Sequence, residues 1–115
     1  MTFDALRNYL LAKPGAVEEF PFDPVTLVAK VGGKMFALVS TDEEPLRMNL
    51  KCDPEKAEVL RELFPAIIPG YHMNKRHWNT IILDGSIADA ELVAMIDDSY
   101  DLVFQSLPKA KRLAT

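Results

Sequence analysis

The sequence predicts an α+β domain: an antiparallel β-sheet with helices packed on one face, CyaY-like in outline, in the order α-β-β-β-α-β-β-α. Three observations lead there. Strand-like runs follow one another directly instead of alternating singly with helices, which favours hairpins over parallel crossovers. Gly32-Gly33 separates two such runs by the shortest hairpin connection. Three other segments carry apolar residues at helical spacing between capping and stop residues.

Thr2 caps a first helix in which Phe3, Leu6, Leu10 and Leu11 recur on one side, and Lys13-Pro14-Gly15 ends it. Residues 16–24 read as irregular, with Phe20 and Phe22 plugging one edge of the core. Val25 to Val31 is β-branched and reads as a strand, and Lys34 to Ser40 returns beside it. From Leu46 to Cys52 the chain alternates cleanly: Leu46, Met48, Leu50 and Cys52 on one face, Arg47, Asn49 and Lys51 on the other. Asp53-Pro54-Glu55 starts a helix that runs to about Phe64, burying Ala57, Leu60, Leu63 and Phe64 before Pro65 stops it. Residues 66–73 and 77–83 read as two strands around Asn74-Lys75-Arg76. Ser86 to Asp89 resembles a capping box, and the last helix, 88–106, carries the stripe Leu92, Ile96, Tyr100, Val103 and Leu107. The basic tail, 108–115, is expected to fray.

With 115 residues, 49% of them apolar and 26% charged, the chain is expected to form a single domain over 1–115 with a core that needs no metal or disulfide. Its apolar runs are far too short for a membrane-spanning helix, and the first ten residues lack the charged-then-apolar pattern of a signal peptide. Cys52 is the single cysteine, so no internal disulfide forms and a reducing cytoplasm is the expected location. The net charge of −4 argues against generic, sequence-blind binding to nucleic acid. The distribution says more than the sum. Residues 24–41, 45–52 and 66–83 contain Lys30, Lys34, Arg47, Lys51, Lys75 and Arg76 and no acid. These are the strand segments, while the acids gather in helices and turns, so a basic sheet side and an acidic helix side are expected, against the plainer reading that acids simply suit helices.

No nucleophile elbow, phosphate loop, dinucleotide fingerprint or zinc-protease motif occurs, so no catalytic residue is assigned and an enzyme is not expected. Cys52 ends a strand on the apolar side and reads as a structural thiol. His72 and His77 would pair across a hairpin turning at Asn74-Lys75, but two imidazoles are too few for a zinc site and the neighbouring cations would repel the ion; neither a metal nor any other cofactor is expected. The unusual stretch is Tyr71 to Trp78, with two aromatics, two cations, two histidines and an asparagine and no acid. Cations contact phosphates, aromatics stack on bases, and Asn and His add hydrogen bonds. The competing structural reading is that Trp78 fills the core and the cations keep the turn soluble.

The run PGYHMNKRHWNTIILDG, preceded by LKCDPEKAEVLRELFP and followed by a SYDLV helix, resembles the MmcQ/YjbR family from the first helix to about Leu107. The resemblance implies a CyaY-like (frataxin-like) α+β fold, also described as a double-wing DNA-binding fold, and a DNA-binding role that rests on fold similarity. It supplies no catalytic residues. Iron handling, the other role such a fold brings to mind, would need a carboxylate ridge that the first helix, with Asp4 alone, does not carry.

The expected function is a nucleic-acid (DNA)-binding module that uses the open sheet face and hairpin tips. The candidate anion-binding residues are Lys34, Arg47, Lys51, Tyr71, Asn74, Lys75, Arg76, His77 and Trp78. The alternative is a protein-interaction or small-anion-binding domain, whose partner is an acidic protein or an anionic metabolite. No membrane partner is expected, and a monomer is, because no helix carries a second apolar stripe.

Overall fold

A computed structural model describes all residues, 1–115. Its elements are α1 (Phe3–Leu11), β1 (Val17–Glu19), β2 (Thr26–Val31), β3 (Lys34–Ser40), β4 (Arg47–Lys51), α2 (Pro54–Leu63), β5 (Ile67–Pro69), β6 (Trp78–Ile82), α3 (Asp89–Gln105) and α4 (Lys109–Leu113). The fold is α+β, with one six-stranded antiparallel sheet in the order β1-β2-β3-β4-β6-β5. No helix is long and apolar enough to cross a membrane.

Local chemistry explains most boundaries. Thr2 Oγ1 accepts the Ala5 N–H at 3.1 Å, and Asp53 accepts that of Glu55 at 3.1 Å with Pro54 behind it. Gly32 and Gly33 have φ of 58° and 83°, the left-handed pair a tight hairpin requires. A Cβ on Gly32 would also lie 2.6 Å from Leu107 Cδ1.

Register explains the faces. Leu27, Ala29 and Val31, Ala37 and Val39, Met48 and Leu50, and Ile81 turn toward the helices and join Leu6, Leu10 and the α3 stripe in the main core. Between Ala29↔Ala37 and Lys30↔Met35 the register steps, leaving Phe36 as an extra residue in β3. That bulge lets Phe36 and Ala37 both enter the core and returns Met35 to the far face. Ser99 of α3 repairs the ladder there: its buried Oγ accepts the Lys51 N–H at 2.9 Å and donates to the Phe36 carbonyl at 2.6 Å.

Several expectations need correction. Residues 17–19 form a strand, since Val17↔Lys30 and Glu19↔Val28 pair. Phe20 and Phe22 do not plug the core but stand 47% and 63% exposed, and Leu63 is 65% exposed on the outer side of α2. Ser86 caps no helix: it bonds Asp84, and Ala88 occupies the cap without a side-chain bond. Asn74-Lys75 is not a two-residue turn, because β5 stops at Pro69 and β6 starts at Trp78; His72 and His77 therefore lie in the connecting loop and are not cross-strand partners. The tail is not frayed throughout, since 109–113 form a helical turn seated on the Pro108 carbonyl, with Lys111 Nζ 3.3 Å from the Gly32 carbonyl.

Candidate anion-binding face

The sheet face away from the helices presents three rows set by register. Thr26, Ser40, Arg47 and Ile82 form one, and Val28, Leu38, Asn49, Thr80 and Ile68 the next. Lys30 and Met35 on β2–β3, with Lys51 and Trp78 on β4–β6, form the third. This face is not uniformly open. Trp78 packs on Val28 and Leu38 with Met35 and Met73 around it, and only 8% of it is exposed. Trp78 therefore fills a second small core and offers no ring for stacking, which removes it from the candidate binding residues. Its closure depends on Gly70, where a Cβ would lie 2.8 Å from Trp78 Cβ and 2.9 Å from its carbonyl oxygen.

Beyond Trp78 the loop folds back over the sheet. The Tyr71 N–H donates to Thr80 Oγ1 at 2.9 Å, and Thr80 Oγ1 in turn donates to Asn49 Oδ1. This fixes Tyr71, His72 and Met73 above the second row and leaves a cleft of about 310 Å³. Thr26, Leu38, Ser40 and Asn49 make its floor. Phe22 and Asp23 reach it from the β2 side, and Tyr71 and His72 from the β5–β6 side. Arg47 is the register partner of Ser40 and so flanks the floor. The rings of Tyr71 and His72 meet at 4.0 Å, and Tyr71 is 63% exposed. His72 has a φ of 60°, a left-handed conformation that costs a side-chain-bearing residue about 1–2 kcal/mol. Hydrogen bonds from the Val25 and Thr26 N–H groups and the Thr26 hydroxyl outweigh burial and hold the Asp23 carboxyl below its usual pKa.

The remaining candidates divide between two further places. Lys75 and Arg76 stand at the strand ends, in a groove of about 350 Å³ shared with Arg61, Glu55 and Glu58 of α2. Lys75 Nζ bonds the Gly70 carbonyl at 3.2 Å, and Arg61 ties this tip to α2 by donating to Asn79 Oδ1 and the Lys75 carbonyl. Asn74 is structural in part: its Oδ1 accepts the Arg76 N–H at 3.0 Å and its carbonyl accepts from Trp78. The half-buried His77 extends the β4–β6 ladder, its carbonyl accepting the Cys52 N–H at 2.7 Å. Lys34 sits apart at the β2–β3 turn, Nζ 3.4 Å from Ser106 Oγ. The structure thus sets Tyr71 over the second row, Arg47 and Lys51 in the rows on either side of it, Lys75 and Arg76 at the loop tip, and leaves Lys34 outside. Sequence reasoning did not assign Phe22, Ser40, Asn49 or His72 to the site; the polar face of β4 signalled Asn49 and the Tyr71–Trp78 stretch signalled His72.

Four of the thirteen Lys and Arg side chains are paired with a carboxylate, and Lys34, Arg61, Lys109, Lys111 and Arg112 are not. Arg7 pairs with Glu18, Lys13 with Asp97, Lys30 with Glu19 and Lys56 with Asp98. Arg47, Lys51, Lys75 and Arg76 have no carboxylate within salt-bridge distance. No group of three or more His, Cys, Asp or Glu side chains gathers for a metal ion. Cys52 is buried, and that burial raises its thiol pKa, so it is a packing residue.

The YjbR family model matches residues 11–102. Protein YjbR of Escherichia coli K12 is 38% identical over 112 residues, 97% of this chain and 95% of its own. Protein YbdF of Escherichia coli O157:H7 is 42% identical over 90 residues, 78% of this chain and 74% of its own. Among solved structures, the crystal structure of Deinococcus radiodurans protein DR2400 superposes with a TM-score of 0.93 at 44% identity, covering 98% of this chain and 86% of that one. A Pseudomonas syringae protein superposes at 0.78 and 28% identity, covering 90% of this chain and 99% of that one.

Proposed function

The chain belongs to the YjbR family, and we propose that it is a cytoplasmic, monomeric DNA-binding module that meets the phosphate backbone with the open sheet face and the 70–77 loop. One observation carries the reading: Arg47 and Lys51 on the open face, and Lys75 and Arg76 at the adjoining loop tip, lie in acid-free segments and lack a carboxylate partner, as Lys34, Arg61 and the α4 cations also do. A cation whose charge no internal carboxylate neutralises is free to neutralise a phosphate and release its counterion. Phosphates contacted by Arg47 and Lys51 would run along β4, and those contacted by Lys75 and Arg76 would continue past the strand ends. The proposal is for binding without a reaction.

A labelled oligonucleotide followed by anisotropy tests it. Binding should weaken with salt, log K falling by about 0.9 per log unit of salt for each duplex phosphate neutralised. Reversing Lys75 and Arg76 together to Glu should weaken binding and reduce that slope by about 2. An affinity unchanged by the double substitution contradicts the reading.

A second reading has its own support. Glu55 and Glu58 share the groove of Lys75 and Arg76, and the net charge is −4. Both disfavour a long polyanion and favour a small anionic metabolite, or a protein whose acidic patch reaches only β4.

A further inference from the structure

The open-face cleft has a composition that simple phosphate attraction does not call for. Its two largest rim side chains, Phe22 and Tyr71, are each 63% exposed, although ring burial is among the most favourable contributions a chain this size can make. They approach from opposite flanks of the cleft, Phe22 ahead of β2 and Tyr71 after β5. The floor between them is polar and partly unspent. Thr80 holds Asn49 by its Oδ1, which turns the Asn49 amide N–H donors away from that bond, and they find no acceptor within the protein. Ser40 Oγ likewise makes no hydrogen bond within the protein and lies beside Arg47 in register.

We infer that this cleft is a seat for one nucleobase, with Tyr71 and Phe22 packing on the ring, Asn49 and Ser40 meeting its polar edge, and Arg47 taking the attached phosphate. The volume, about 310 Å³, is at the small end for a ligand pocket and admits one planar heterocycle with room for its sugar. Exposed aromatics beside an unpaired Arg are the combination that stacks on bases independently of their sequence. The Asp23 carboxylate on the β2 side repels a phosphate there, so the sugar-phosphate must leave toward Arg47. His72 braces the Tyr71 ring, and its left-handed backbone is a conformation that tends to persist at ligand clamps. The inference rests on the DNA-binding reading for its natural source, a strand of nucleic acid. The same chemistry is also presented by a free nucleoside monophosphate.

The test compares three probes on the wild-type chain and on Tyr71→Ala and Phe22→Ala: a labelled single-stranded oligonucleotide, an abasic sugar-phosphate strand of equal length, and a nucleoside monophosphate titrated by NMR. Both substitutions remove exposed rings, so folding should survive, and the dispersed amide spectrum checks it. The expected result is that the oligonucleotide binds more tightly than the abasic strand, and that either substitution weakens oligonucleotide binding about 5- to 150-fold, the usual effect of one lost base–aromatic stack, narrowing its margin over the abasic strand. If both strands bind equally, the base seat is overturned while DNA binding stands. If neither strand binds but the monophosphate saturably shifts Asn49 and Ser40 resonances, the seat stands with a free nucleotide as its ligand and DNA binding falls. No response to any probe overturns both.

Discussion

The helix side and the open sheet face spend their charges differently. On the helix side and the β1 edge, Arg7, Lys13, Lys30 and Lys56 are paired internally, while Arg61 of α2 and the α4 cations Lys109, Lys111 and Arg112 are not. Arg7 Nε lies 2.8 Å from Glu18, Lys13 bridges to Asp97, and Lys56 reaches Asp98 from α2 to α3. The effects are mutual: hydrogen bonds and charge from the partner raise the Arg7 and Lys56 pKa values and lower that of Glu18. On the open face, Arg47 and Lys51 have no such partner, and the polar atoms around them are hydroxyls and amides. Internally paired charge fastens elements together; unpaired charge beside exposed rings is available to something outside the chain.

The contrast can be broken by exchanging the roles of the two regions. Arg47→Glu with Lys51→Glu should cause the largest loss of oligonucleotide binding, lowering the salt slope by about 2, while the urea midpoint hardly moves. Lys13→Glu with Lys56→Glu should do the reverse, keeping affinity and lowering stability. Each exposed pair is worth only about 0.2–1 kcal/mol, because solvent screens it. If the helix-side pair proved to control binding, the division of labour would be wrong.

Ser99→Ala sharpens the comparison where the layers meet. It leaves the Lys51 N–H and the Phe36 carbonyl without their shared partner, at a cost of about 1–3 kcal/mol in denaturant unfolding. Because Lys51 belongs to the proposed face, amide exchange along β4 should quicken as well.

The smallest effect concerns Tyr9, whose hydroxyl donates to Asp97 at 2.6 Å and joins α1 to α3. Tyr9→Phe should cost about 0.5–1.5 kcal/mol. That hydrogen bond, with help from burial, pushes the Tyr9 pKa up to about 12 from 10.0. The folded chain holds this proton more tightly than the unfolded chain, so the stability it lends is intact below pH 10 and drains away as pH climbs toward 12. Asp97 works in the opposite sense. Burial would raise its carboxyl, but Lys13 and Tyr9 outweigh burial and lower it. Its contribution is present above the ordinary carboxylate value of about 4 and is lost as pH falls through the lowered one. An ultraviolet titration of the tyrosines and stability curves at both ends of the pH scale check the pair.

What the sequence made legible follows from the range of the forces involved. Gly32-Gly33, the alternation from Leu46 to Cys52 and the Asp53-Pro54 start are local signals, and the hairpin, β4 and α2 all formed where those signals lie. The strand Val17–Glu19 was hidden because three residues carry little periodicity and two of these are acids; it exists through pairing with β2 and the Lys30–Glu19 bridge. The Phe36 bulge was hidden because it depends on Ser99, 63 residues away. In the site, the acid-free strand segments were visible, but which cations stay unpaired was not, since Lys56 and Asp98 are 42 residues apart. Phe22 was misjudged because an aromatic between prolines carries no local sign of which way it faces. Trp78 and Tyr71 are seven positions apart in one motif, and only the fold over Gly70 buries the first and exposes the second.

An amide-resolved NMR titration with an unlabelled oligonucleotide at low salt tests the division most directly. If the open face is the binding surface, shifts should concentrate at Arg47, Asn49, Lys51 and Tyr71 and along the loop to Arg76, and they should fade as salt is raised. Resonances of Arg7, Lys13 and Lys56 should stay in place. Shifts centred on the helix side, or a spectrum unmoved at saturating oligonucleotide, would contradict it.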